Sequence, residues 1–231
     1  MKIIIDRQKM QRRAKASHAA SLGGMVTILA SVAISMWKPQ LSTLTAVLLF
    51  LGFAVATVGV YFANRWVKKP RPEDVLDHAL KGLDDRCRLY HYLDHGLDHV
   101  LLTTSGLVIL ETRGGEGVFE YRDGHWHQKI TMGKAIRFFV EEALGDPVAD
   151  GRREAARLTA AIKRRMPSTA QIPVHPLVVF THPAAEVTRK GTPIPVCQPK
   201  QLRSELPRSL PPLSRDIYEQ LREILDSGGP Y

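Results

Sequence analysis

One acidic residue and one short motif have the types and spacing for phosphoryl chemistry: Asp98, and Glu111-Thr112-Arg113. Side chains alternate along an extended chain, so Glu111 and Arg113 point to the same face of a strand. His99–Thr103 and Leu107–Thr112 are rich in Val, Leu, Ile and Thr, and Thr104-Ser105-Gly106 reads as the turn between them. A hairpin centred on Ser105 places Asp98 opposite Glu111 or Thr112. Two carboxylates then converge, with a guanidinium one step beyond. Such a pair, completed by water and a phosphate oxygen, suits Mg²⁺, with Mn²⁺ as the alternative, so Asp98 and Glu111 are the expected metal ligands. A metal held there activates water and offsets charge on a phosphoryl transition state. The plainer reading of the same residues has Asp98 opening a strand after Gly96 and Glu111 solvated at a strand end.

Other reactive residues point less far. Cys87 and Cys197 follow no metal-ligand spacing and read as reduced, incidental thiols. His125 and His127 share a strand face, and His91, His95 and His99 recur every four residues, with Gly96 against one continuous helix. A solvated strand face and loop histidines are the expected reading, and Gly114-Gly115 reads as a turn.

The net charge of +9 invites a nucleic-acid reading until it is divided along the chain. Residues 1–71 carry eleven basic residues against Asp6, whereas residues 72–231 carry 21 basic and 22 acidic ones. Bulk charge on the second part is no evidence for DNA or RNA binding. One basic feature remains: on a helix from Asp150 to Met166, Arg152, Arg153, Arg157, Lys163 and Arg164 share a broad face. A solvated face is the plain reading, and a surface tracking DNA or RNA phosphates or lipid headgroups the sharper one.

The basic first part flanks two apolar runs. Ala16–Trp37 and Pro39–Asn64 contain no Asp, Glu, Lys or Arg, and each exceeds the roughly 20 residues that cross a hydrocarbon layer of about 30 Å. Lys2, Arg7, Lys9, Arg12, Arg13 and Lys15 precede the first run, Arg65, Lys68, Lys69 and Arg71 follow the second, and only Lys38 lies between. The positive-inside rule then places both termini in the cytoplasm of a multi-pass cell-membrane protein in contact with the lipid bilayer. A cleaved signal peptide with small residues near Ser31–Ala33 is the rival, disfavoured by the second run.

These features divide the chain into a basic cytoplasmic N-terminus (1–17), a transmembrane helical hairpin (18–66), a Pro-containing linker (67–72) and a cytoplasmic domain (73–231). In the domain, Leu76, Leu80 and Leu83 follow Glu73 at helical spacing. After the hairpin come strands at Val118–Arg122 and His125–Gln128, helices at Lys134–Leu144 and Asp150–Met166, strands at Val174–Thr181 and Ile194–Cys197, and helices at Lys200–Leu206 and Ser214–Leu225. The fold class expected is α/β with α+β order, three or four antiparallel strands leading.

The soluble part resembles the nuclease-related domain family, NERD, within the PD-(D/E)xK nuclease fold. The resemblance is carried by Glu73 and its leucine spacing, by LDHVLLTTSGLVILETRGGEGVFEYRDGHW, and then by DPVADGRREAARLTAAI, HPLVVFTHP and PVCQPKQL. It implies a restriction-endonuclease-like core, a central mixed sheet flanked by helices, with Glu73, Asp98, Glu111 and Arg113 as catalytic positions. Arg113 departs from the family's lysine, and Asp150 stands where relatives often carry Gln. Arginine cannot act as a base in a protein, though it suits bidentate phosphate contact. Two functions follow: a membrane-anchored, Mg²⁺-dependent nuclease with a weak or altered site, or an inactive binding or scaffolding module that kept the fold.

Overall fold

The computed structural model describes residues 1–66, 70–93, 96–129, 144–167, 172–207 and 210–229. They form two units. The first comprises Met1–Ile5 with the described residues from Pro72 onward, and the second comprises Asp6–Arg71.

The second unit is a helical hairpin. Helix α1 (Arg7–Trp37) and helix α2 (Ser42–Trp66) are joined by a single helical turn at Pro39–Leu41. Both helices are long and apolar enough to cross a membrane, and only 11% of each apolar window is buried, unlike a helix in a soluble core. Their outer faces present Leu29, Met36, Val47, Phe50 and Phe53. Hydroxyls inside such helices need partners where water is absent. Thr27 donates to Gly23 O at 2.9 Å, Ser31 to Ile28 O at 2.8 Å and Thr57 to Phe53 O at 2.8 Å. The helices meet on glycines: a Cβ on Gly24 would lie 2.4 Å from Ala56 N, and one on Gly59 would lie 2.3 Å from Ser21 N.

The first unit is built on a six-stranded mixed sheet in the order β1-β2-β3-β4-β7-β9. Its strands are β1 (Lys2–Ile5), β2 (Arg88–His91), β3 (His99–Thr103), β4 (Gly106–Arg113), β7 (Val174–Phe180) and β9 (Val196–Cys197). β2, β3 and β4 run antiparallel in turn, while β1 on β2 and β7 on both β4 and β9 are parallel. Strand alternation divides the core into two layers. Tyr90, Val100, Leu102, Leu107 and Ile109 pack with Ala155, Leu158 and Ile162 of helix α4 (Pro147–Arg165) and with Leu221 and Leu225 of helix α6 (Arg215–Asp226). Leu89, Leu101, Val108, Leu110 and Val179 pack on the other face with Leu76 and Leu80 of helix α3 (Pro72–Leu80) and Leu202 of helix α5 (Leu202–Glu205). Buried on both faces, these strands are the near-continuous apolar runs that their sequence showed.

Several strands differ from expectation. β5 (Gly117–Arg122) and β6 (His125–Lys129) do not extend the main sheet; they form a second sheet, β6-β5-β8, with β8 (Ala185–Thr188) parallel to β5. Phe119 accounts for this, since it packs with Phe180 and Ala185 over the end of the main sheet. β2 falls in a stretch of charged and histidine residues that carries no apolar alternation. β1 draws Lys2–Ile5 into the sheet from the basic flank. The helix expected at Lys134–Leu144 lies, but for its last residue, outside the described residues.

The glycine contacts give a matched test. Gly24→Leu and Gly59→Leu should each push the helices apart, at a cost of about 1–3 kcal/mol or more. Gly23→Leu, whose Cβ meets nothing within 4 Å, should be silent. Limited proteolysis of the full chain in detergent should separate the two positions from the control.

Candidate active site

The chemistry-bearing residues gather where β4 leaves the core. Leu107 to Leu110 are buried, and Glu111, Thr112 and Arg113 are partly exposed. The β3–β4 pairing runs Thr103↔Gly106 to Val100↔Ile109, so continuing the register two residues sets Asp98 across from Glu111. Glu111 and Arg113 share the face of Leu107 and Ile109, which α4 covers.

Helix α4 supplies the rest. Asp146 caps it, accepting from Val148 N and Ala149 N at 3.1 Å, and Pro147 opens its first turn. Gly151 brings the helix close: a Cβ there would sit 3.6 Å from Glu111 Cβ. Asp150 and Glu154, one turn apart, therefore approach β4 beside Glu111.

Arg113 is clasped on all sides. One terminal nitrogen donates to Glu111 Oε1 and, at 3.0 Å, to Thr112 O; the other donates to Asp150 Oδ2 at 2.6 Å. Nε donates to Leu144 O at 3.0 Å, and the second oxygen of Asp150 accepts from Arg153. Planar guanidinium donors match carboxylates in this forked manner, whereas a lysine ammonium would meet them as a point charge. The surrounding charge remains in acidic excess. Burial raises the Glu111 carboxyl above its usual range; Arg113 pulls against that, while Asp150 and Asp98 add to it. Glu154 is pushed up to about 8 by burial, then by the charges of Glu111 and Asp98, so it is largely protonated at neutral pH.

Asp98, Glu111 and Arg113 are thus brought together as the sequence suggested. Asp150, singled out there only as a departure, holds the arginine, and Glu154 was missed. Its signal was available: it lies four residues after Asp150, the one acidic position among Arg152, Arg153 and Arg157, which are all exposed on α4.

Glu73 belongs to the other layer. It opens α3, is 3% exposed, and accepts from the Tyr92 hydroxyl at 2.7 Å. Tyr92 also donates its N–H to Asp98 O at 2.6 Å, with φ at +57°, a left-handed conformation unusual for a bulky residue. It therefore ties the backbone of Asp98 to the carboxylate of Glu73. Beside it, His91 and His99 are buried rather than solvated, because α3 roofs that face. Their Nδ1 atoms lie 2.7 Å apart, and His91 Nε2 meets Asp77 Oδ1 at 2.9 Å. An ionised carboxylate only accepts, so His91 donates to Asp77.

The donor set can be tested against a divalent cation. Four carboxylates are hard oxygen ligands of the right kind for Mg²⁺. Among the described residues, however, no three His, Cys, Asp or Glu side chains are placed to hold one ion. The guanidinium engages one oxygen of Glu111 and one of Asp150, so a metal at Asp98 and Glu111 would share Glu111 with it.

Residues 70–181 match the family model described as the nuclease-related domain, NERD. The match runs from the residues before α3 to the end of β7 and includes Asp98, Glu111, Arg113, Asp150 and Glu154. No curated protein and no solved structure matches the chain.

The raised Glu154 carboxyl has a direct consequence. The folded chain keeps that proton up to about pH 8, while the unfolded chain loses it near the ordinary glutamate value of 4.5. Stability therefore falls as pH rises between these values, by at most about 1.4 kcal/mol per pH unit for one proton. Glu154→Gln should flatten the slope in denaturant titrations of the full chain.

Proposed function

We propose, on the premise that residues 70–181 form a nuclease-related domain, that this chain is a membrane-anchored protein whose Asp98–Glu111–Arg113 site engages the phosphodiester backbone of DNA or RNA and hydrolyses it weakly. The observation that carries this reading is the gathering of Asp98, Glu111, Asp150 and Glu154 around one guanidinium. Nothing in a packed core requires four carboxylates at the open end of a strand, and burying them costs stability. Membrane attachment is supported by the two apolar helices. The flanking basic residues favour a cytoplasmic domain with both termini on that side.

In this reading Asp98 and Glu111 would hold Mg²⁺ or Mn²⁺, which supplies charge compensation at the phosphate and a more acidic water. The protein's own groups do the remaining work. Arg113 presents a fixed positive charge to a phosphate oxygen, and its ion pairs keep it aimed. Glu154, protonated at neutral pH, can donate a proton but is a poor base there. The exposed Arg152, Arg157, Lys163 and Arg164 of α4 give a strand of nucleic acid a basic path beside the site; Arg153, on the same face, is engaged with Asp150.

A second reading, an inactive binding or scaffolding module, is favoured by one feature. Arg113 already pairs with Glu111 and Asp150, so these two carboxylates have a partner without a ligand. Cleavage and metal binding separate the two. With Mg²⁺ or Mn²⁺ the full chain in detergent should cut DNA or RNA slowly, Arg113→Lys should raise the rate, and Glu111→Ala should abolish it. Positioned proton transfer is worth roughly 10²–10⁴-fold, which bounds the gain from lysine. Loss of all cleavage in both the parent and Arg113→Lys supports the module.

The metal can be followed without turnover. Millimolar Mg²⁺ or Mn²⁺ should raise the melting temperature, more in Arg113→Lys than in the parent and not at all in Asp98→Ala. An effect of equal size in all three chains would place the ion elsewhere.

A further inference from the structure

The segment before the first apolar helix does more than carry positive charge. Ile3-Ile4-Ile5 is three β-branched residues in a row, a sequence that favours a strand over a disordered basic flank. The structure uses it as one: Lys2–Ile5 runs parallel to β2 in the register Lys2↔Arg88 to Ile5↔His91, and Lys2 N donates to Cys87 O at 2.9 Å. Only Asp6 separates this strand from α1, and α2 ends at Trp66, shortly before α3 begins at Pro72. The helical hairpin is therefore inserted between the first strand of the sheet and the rest of the domain.

We propose that β1 is a strap: it ties the chain before α1 to the domain that follows α2, so that the two ends of the helical hairpin leave the membrane on the same side. Pairing requires residues 2–5 and 88–91 to share one compartment, and two crossings by α1 and α2 satisfy this where one crossing could not. Cleavage within α1 would remove a strand of the sheet. The strap also serves the fold. Leu89 and Tyr90 are fully buried, as on an interior strand, although without β1 they would lie on the sheet's edge. A bare edge of that kind recruits other strands, and β1 closes it. Because N–H and C=O of one residue leave a strand on the same side and alternate residues share it, the amides of Leu89 and His91 face β1 together with Cys87 O. Ile4 packs into the layer with Tyr90 and Val100, and Ile3 turns to the other face, where a cavity of 420 Å³ lies between it and Asp74, Asp77, His78 and Lys81 of the α3 region.

This arrangement does not depend on whether the site cleaves, and it can be tested in the full chain reconstituted in lipid nanodiscs. A benzophenone amino acid in place of the 41%-exposed Ile3 should fit the cavity and capture peptides from 74–82 or 87–91 of the same chain. Capture between two copies only, or none, overturns the strap. In parallel, Ile4→Pro removes a ladder donor. Amide exchange at Leu89 and His91 should then accelerate at least tenfold while β4 stays protected; unchanged exchange at those two amides also overturns the proposal. Should the proline release β4 as well, the cross-link at Ile3, which needs no weakened variant, decides alone.

Discussion

Everything at the candidate site depends on β4 being paired on both sides and covered on both faces. Antiparallel β3 fixes one edge through Val100↔Ile109, and parallel β7 fixes the other from Leu107↔Val174 to Arg113↔Phe180. With both edges taken, the strand cannot slip by one residue without exchanging its two faces. Glu111 and Arg113 are therefore compelled toward α4, and Thr112 toward the α3 layer. The same pairing holds Glu111 beside an apolar strand, so its carboxyl is desolvated wherever its charge goes. Arg113 offsets that desolvation, and the backbone oxygens of Thr112 and Leu144 take up guanidinium donors that the carboxylates leave over.

How legible this was in the sequence varied with the range of the interaction. The β3–β4 hairpin could be read because its turn and both apolar runs are contiguous; its turn left Glu111 and Thr112 as alternatives opposite Asp98, and the observed register selects Glu111. The two long apolar helices could be read because a hydrocarbon environment leaves no polar stripe. β2 could not, since Arg88-Leu89-Tyr90-His91 has no alternation of its own and is a strand only through β1 and β3. β1 was hidden by its neighbours: its lysine counted toward a basic flank, and its partner lies more than eighty residues away. Glu154 was hidden for a related reason, as its role comes from the packing of α4 on β4, which Gly151 permits and no local pattern announces.

The buried polar groups on the α3 side show how the second layer bears on the first. Glu73 lies on α3 and the His91–His99 pair beneath it, and Tyr92 links Glu73 to Asp98 through one side-chain and one backbone hydrogen bond. Holding a tyrosine at positive φ costs on the order of 1 kcal/mol, so the linkage persists because both bonds are made at once. Glu73 thus bears on the site by positioning the strand that carries Asp98.

The two departures from the family pattern, Arg113 for Lys and Asp150 for Gln, are physically one change. A lysine beside a glutamine would leave one ammonium facing Glu111, with a neutral amide near it. Arginine adds donors that an amide oxygen satisfies poorly, and Asp150 meets one of them at 2.6 Å while neutralising the charge that the guanidinium keeps permanently. Either substitution alone would unbalance the site: Arg113 without Asp150 leaves a half-buried donor short, and Asp150 without Arg113 adds a third carboxylate to Glu111 and Glu154.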